Sequence, residues 1–210
     1  MSASPFYRLI IDTSSEKSIL AITCHSAPIA SSIRPHANQL SKELIPSLQE
    51  LLIEAKIDLN ALNEIAVGVG PGSYTGTRVG VMIAKSLYFA LQSSHSIQLR
   101  GFCSLLQSIP LQNGICLFAM PSKAGGIYFL KTLCEEGKIS LLQSSLASKE
   151  KILEEIEDAD LLIGKPLNQI EPLLPDLKWT LPEPSLESIL SYLQNTAPCS
   201  STDLIYLHTP

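Results

Sequence analysis

The chain has 210 residues, 45% apolar and 17% charged, which suits one large domain or two small lobes and excludes a disordered chain. Its formal net charge is −5, whereas a protein that grips nucleic acid unaided carries a basic excess, because phosphate neutralisation dominates that affinity. Any role with RNA is therefore expected to go through a partner.

Five cysteines, Cys24, Cys103, Cys116, Cys134 and Cys199, form no CxxC pair, so their spacing argues against a zinc knuckle or redox pair. Most sit in apolar runs, where cysteine acts as a small hydrophobe. The odd count, and a Met1–Pro5 start with neither basic head nor apolar core, give the expectation of a cytoplasmic protein. No stretch approaches the roughly 20 apolar residues that span a bilayer.

In chain order, Phe6–Asp12 reads as a strand, TSSEK turns the chain, and Ser18–Cys24 returns it. Pro28–Pro35, with proline at both ends, reads as an edge strand, and the three make an antiparallel meander. Leu40, Leu44, Leu48, Leu51, Leu52 and Ala55 fall at helical spacing, which predicts a helix from Asn38 to Lys56. Pro46 inside it costs about 3 kcal/mol or a kink, so the helix either bends there or becomes regular only near Ile45.

Glu64–Gly70 is a buried strand, and GVGPGSYTGTR (Gly68–Arg78) leads into a second helix over Gly76–Gln92. Ser96–Gly101 is a further strand and FCSLLQSI a short helix. The second half then repeats the order. Strands are expected at Gly114–Met120, Gly126–Cys134 and Ile139–Ser144, a helix at Ser148–Ala159 with Ser148 as N-cap, a strand at Asp160–Gly164, and a helix at Ser185–Gln194. The seam is expected near Arg100–Pro110, dividing the chain into lobes at 1–100 and 101–210.

The glycine-rich loop matches no phosphate or nucleophile signature. Thr77-Arg78 stands where a Walker loop needs Lys-Ser or Lys-Thr, Gly70-Pro71-Gly72 lacks the third glycine of the dinucleotide fingerprint, and G-x-S-x-G is absent. GPGS with Pro71 and Gly72 at its centre reads as a type II turn, with Ser73 or Thr75 capping the helix and free N–H groups favouring an anion.

Beyond the turn, Gly76, Gly80 and Ala84 stand four apart, a spacing that lets another backbone approach. Val79, Val81, Met82, Ile83, Leu87, Tyr88, Phe89 and Leu91 surround most of the helix, which predicts cover on two sides, the second from another lobe or from a separate protein. Asp12-Thr13-Ser14 reads either as an Asx or Ser/Thr turn or as a carboxylate and hydroxyls for Mg²⁺ or phosphate. His36 has no histidine four residues on, because position 40 is leucine; His25, His95 and His208 likewise lack partners in sequence. The acidic run Glu154–Asp160 reads as a solvated helix face.

LIIDTS (Leu9–Ser14), His36 opening a Leu-rich helix, and IAVGVGPGSYTGTRVGVMIAKSLYFAL (Ile65–Leu91) closely resemble the TsaB (YeaZ) family. Its members are bacterial partner proteins in making N6-threonylcarbamoyladenosine (t6A) beside the tRNA anticodon. The resemblance implies an α/β protein of the actin-like ASKHA fold, with two RNase-H-like lobes of mixed sheets flanked by helices. It implies a scaffold that binds the transferase TsaD through a four-helix contact, helps recruit the ATPase TsaE, meets tRNA only through that complex, forms a homodimer when alone and touches no membrane.

The contact would use Leu44, Leu48, Leu51, Gly76, Arg78, Gly80, Met82, Ile83 and Leu87, with Gly72 in the supporting loop. No catalytic residue, metal or required cofactor is implied. Asp12, Thr13, Ser14, Gly72 and Ser73 would be a vestigial site for weak ATP or ADP with Mg²⁺. The second half departs from the family pattern: MPSKAGGIYFL keeps Ile127-Tyr128 but lacks the usual Asp and Arg, and His208 takes an arginine position. The alternative reading is an independent ATPase, sugar-kinase-like transferase or glycoprotease-like peptidase, with Asp12 as its thin support.

Overall fold

The computed structural model describes residues 4–35, 39–122, 126–164, 179–180, 183–197 and 202. His36, Asn38, the 123–125 part of MPSKAGGIYFL, most of the proline-rich stretch, Cys199 and His208 lie outside the described residues. The chain divides into two compact units, one of Met1–Ser104 together with Thr202, the other of Leu105–Ala197.

The first unit is built on β1 (Tyr7–Asp12), β2 (Lys17–Cys24), β3 (Ala27–Pro35), β4 (Leu62–Gly68) and β5 (Gln98–Phe102), in the order β3-β2-β1-β4-β5. Strands β1, β2 and β3 form the antiparallel meander, with Asp12 opposite Ile19 and Lys17 opposite Pro35. The Pro-flanked β3 takes the edge, where its missing N–H groups cost no ladder bond. β4 and β5 then join parallel to β1. Leu9–Ile11 of β1 and Ile65–Val67 of β4 are buried residue after residue, which is why these stretches are apolar with no alternation, while the buried Arg8 of β1 pairs with the buried Glu64 of β4.

Two helices cover one face of this sheet. Helix α1 (Leu40–Ala55) buries Leu40, Leu44, Leu48 and Leu51, and α2 (Tyr74–Leu91) buries Val81, Ala84 and Leu91, against Leu9, Ile11, Leu20, Ile22, Ile65 and Val67. Each leucine removed from water contributes about 1.5–3 kcal/mol. Helix α1 runs unbroken from Leu40 through Pro46, so its regular part does not wait for Ile45; burial of the leucine stripe outweighs the N–H that proline lacks. It ends at Lys56, a left-handed residue with φ 55°, whose N–H returns to the helix carbonyls.

The second unit repeats the plan with β6 (Gly114–Pro121), β7 (Ile127–Glu135), β8 (Lys138–Ala147), α3 (Lys149–Ile156), β9 (Leu161–Gly164), β10 (Trp179–Thr180) and α4 (Leu186–Asn195). Its sheet order, β10-β9-β6-β7-β8, is the first one again: a three-stranded antiparallel meander with two parallel strands added on the far side. Ser148 and Ser185 cap α3 and α4 by accepting from Lys151 N and Glu187 N. FCSLLQSI forms a 3₁₀ turn over Ser104–Ser108. This doubled order gives an α/β chain of two units, each a mixed sheet flanked by helices, as the sequence led one to expect.

The acidic run is not wholly solvated. Glu155 is buried and meets the buried Lys131 of β7 at 2.8 Å, while Asp158 meets the same ammonium at 2.5 Å. Lysine at a strand position facing a helix needs this compensation, because an unpaired buried ammonium is costly. At the sheet edge, the Ser191 hydroxyl of α4 accepts from Ile139 N at 2.9 Å and donates to Gly137 O at 2.8 Å. Leu142 and Leu146 of the same strand stay exposed.

Candidate functional site: the β1 end, the glycine loop and helix α2

The end of β1 and the start of α2 are tied together by backbone and hydroxyl groups. Ser14 N donates to Asp12 Oδ1 at 2.9 Å, an Asx turn. The Thr13 hydroxyl donates to Gly76 O at 2.7 Å, and Ser73 N donates to Ser14 O at 2.6 Å. Ser73 is the N-cap of α2: its hydroxyl accepts from Gly76 N at 3.2 Å and its carbonyl from Thr77 N at 2.9 Å. Ser104, just past β5, holds the other side of the loop, accepting from Gly70 N at 3.0 Å and returning its own N–H to Gly70 O at 2.8 Å.

The loop is not the expected type II turn. The Gly70–Pro71 bond is cis, and the positive φ, 95°, belongs to Gly70, not Gly72. The hydrogen bonds to Ser104 and Ser14 set the path, so the demand for glycine moves one side of the proline. Gly72 is needed for another reason: a side chain there would run into Ser14, whose Cβ would lie 2.7 Å away.

Asp12 is 1% exposed. Its Oδ2 is the one polar side-chain atom, among the described residues, that is buried without a hydrogen-bond partner. It lies beside Gly68, with the Ser104 hydroxyl close by but making no hydrogen bond of good geometry to it. Burial pushes the Asp12 carboxyl up to about 6; the hydrogen bonds of Ser14 and the nearby Ser104 hydroxyl only partly offset this. A carboxylate so enclosed does not fit a hydrated magnesium ion, which keeps several waters. The Thr13 and Ser73 hydroxyls that would meet a phosphate are already used inside the loop. Among the described residues no cluster of three or more His, Cys, Asp or Glu is placed to hold a metal ion.

The expected contact residues separate into two groups. Leu44, Leu48 and Leu51 lie in the core beneath the unit's own sheet, at 1%, 5% and 2% exposure. Gly76 and Gly80 face inward as well: a Cβ on Gly76 would meet Thr13 O, and one on Gly80 would meet Thr13 Oγ1. The small-residue stripe thus brings α2 onto its own β1, which corrects its assignment to a partner surface. Ile83 and Leu87 are half-buried against the same core.

Of the expected set, Arg78 and Met82 remain exposed. With them stand Tyr74 and Phe89, which sequence reasoning left out of the site. Tyr74, Met82 and Phe89 are 55%, 63% and 62% exposed, and Arg78 lies over the Tyr74 ring at 3.9 Å. The helical spacing of these residues was readable; which face the lobe itself would cover was not.

Known proteins resemble this chain in two ways. The family model described as "TsaD: tRNA N6-adenosine threonylcarbamoyltransferase" matches residues 32–106. The Haemophilus influenzae protein named tRNA threonylcarbamoyladenosine biosynthesis protein TsaB is 36% identical over 86 residues, 39% of this chain and 34% of that protein. The match therefore spans about a third of that curated relative's length.

Two solved structures share the fold. YeaZ from Pseudomonas aeruginosa superposes with a TM-score of 0.72 at 22% identity, covering 89% of each chain. A second structure, described as an uncharacterized protein with similarity to peptidase YEAZ from Pseudomonas aeruginosa, gives 0.75 at 21% identity over 97% of this chain and 100% of that one. Among the described residues no helix is long and apolar enough to cross a membrane. The chain thus shares the fold of the YeaZ structures and, over part of its length, sequence likeness to proteins named TsaB.

Proposed function

We propose that this chain is a non-catalytic scaffold that binds and activates a TsaD-type transferase and helps recruit a TsaE-type ATPase for t6A modification of tRNA in the cytoplasm. The observation that carries the reading is the outward face of α2. After the helix has buried one side on its own sheet, Tyr74, Met82 and Phe89 still stand more than half exposed along the other. Large apolar side chains in one line are a costly surface to leave bare, and such a patch marks an interaction site. The same helix lies within the stretch matched by the TsaD family model. In isolation the face would serve a homodimer, and no nucleotide is required.

The alternative of an independent ATPase or peptidase asks Asp12 to work as a base or metal ligand. Its enclosure by Gly68 and Ser104 gives that reading no support. The test is gel filtration of the chain with its TsaD-type counterpart, wild type against Met82→Glu. A buried unpaired carboxylate costs several kcal/mol, so the variant should lose the mixed species while its circular dichroism stays unchanged. Equal co-elution of M82E would refute this interface.

A further inference from the structure

Strand β8 is an edge of the second unit's sheet, and among the described residues no third strand pairs with it on the side away from β7. Ser140–Ala147, eight of its ten residues, carry no charge and no proline, two of the devices that protect an edge. Leu141, Leu142 and Leu146 are 38%, 49% and 53% exposed there. Ile139 N and Gly137 O point away from β7, since the Ser191 hydroxyl accepts from the one and donates to the other. Outward and inward residues alternate along an antiparallel ladder. Thr132 lies opposite Leu141 and Lys131 opposite Gln143, so Leu142 is the extra residue of a bulge. Counted past that bulge, Leu141, Ser144 and Leu146 turn their backbone N–H and C=O groups to the free border. Their side chains share one face, as do Thr132, Leu130 and Tyr128 opposite them.

We infer that β8 pairs antiparallel with β8 of a second copy of this chain, about a two-fold axis at Ser144. The bulge decides the register. With Ser144 opposite its own counterpart and Gln143 opposite Ser145, the extra residue Leu142 brings Leu141 opposite Leu146 of the second copy, and Ser140 opposite Ala147. The outward groups of Leu141, Ser144 and Leu146 then all meet groups of the other copy, and Leu141 and Leu146 of both copies close in one row over the joint. In a strand without the bulge these two leucines, five positions apart, would lie on opposite faces. This fit of the strand to its own twin is what favours a second copy over an unrelated strand. Charge does not oppose the pairing, because neither copy carries any in the paired span. An isologous contact uses up both borders, so it stops at two chains. Eight residues a side is below the about 20–30 of a standard interface, so the dimer should form and part with concentration. It uses none of the α2 residues and goes beyond the scaffold reading.

The test is analytical ultracentrifugation over a wide concentration range in the Met82→Glu background, which removes association through α2. M82E should pass reversibly from monomer to dimer. M82E/L146K should associate at least tenfold more weakly, with unchanged circular dichroism. As a check on register, M82E/S144C and M82E/S145C are treated with oxidised glutathione and digested, and the disulfide-linked peptides are read by mass spectrometry. The pair at position 144 sits on the axis and should link at least tenfold faster than the pair at 145. The inference is overturned if M82E stays monomeric throughout, if M82E/L146K associates as tightly as M82E, or if position 145 links as fast as 144. A ladder of ever larger species would make the border an open aggregation site and overturn it too. If M82E stays monomeric and L146K alone weakens binding to the TsaD-type counterpart, the border takes a strand of that protein, and the second copy is the wrong occupant.

Discussion

Replacing Asp12 with Asn should stabilise the protein at neutral pH and leave it unchanged in acid. The carboxyl is 1% exposed and one of its oxygens has no partner. Its pKa is raised from 3.8 to about 6, chiefly by burial. A raised folded-state pKa means that the folded protein holds the proton more tightly than the unfolded chain. The contribution is therefore fully present below 3.8 and is lost as pH rises through about 6. At 1.36 kcal/mol per pKa unit the loss amounts to about 3 kcal/mol above pH 7. An asparagine keeps the oxygen that accepts from Ser14 N and has no charge to desolvate.

Urea unfolding with a chelator present, at several pH values from about 4 to 8, gives the difference between variant and wild type. That difference should grow from near zero at the acid end to about 3 kcal/mol at the alkaline end. Other carboxylates titrate in both proteins and cancel. A flat difference, or one that reverses sign, would show that Asp12 is not the enclosed group described here.

Four further outcomes follow from the same contacts. Lys131→Met should destabilise by about 3–5 kcal/mol in urea, because Glu155 keeps only the more exposed Lys151 at 3.1 Å. The Lys131 ammonium also holds the Glu155 and Asp158 carboxyls below their usual range, so their contribution is present above the unfolded pKa and should fade as acid takes pH down through the folded values. Gly80→Ala should cost about 1–3 kcal/mol by forcing Thr13 off its bond to Gly76 O, read from the urea midpoint. Adding ATP with Mg²⁺ should leave the melting temperature unchanged; a concentration-dependent rise would contradict the poor fit of the β1 end to a nucleotide.

The meander, the strands β4, β5 and β9 and the caps at Ser73 and Ser148 were legible because proline, Asx-type residues and apolar periodicity act locally. Pro35 closes an edge strand, and Ser73, Ser148 and Ser185 each stand just before a helix. The two-residue β10 carried no such signal. What failed was the division of α2 between inside and outside. A helix apolar on several faces has no single moment to orient it, and the deciding fact, Gly76 and Gly80 against Thr13, joins elements more than 60 residues apart. Glu155 of α3 was misread for a similar reason, since its partner Lys131 lies on β7, 24 residues earlier.

The Ser191 seat beside β8 has a consequence for how the molecule avoids its own kind. The border of a sheet is a template on which a stray chain can condense, and β8 also carries bare Leu142 and Leu146. By occupying Ile139 N and Gly137 O, one hydroxyl shuts the hairpin end of that border. Shortening the protein ahead of α4 should therefore turn that border into a seed for fibrous deposits.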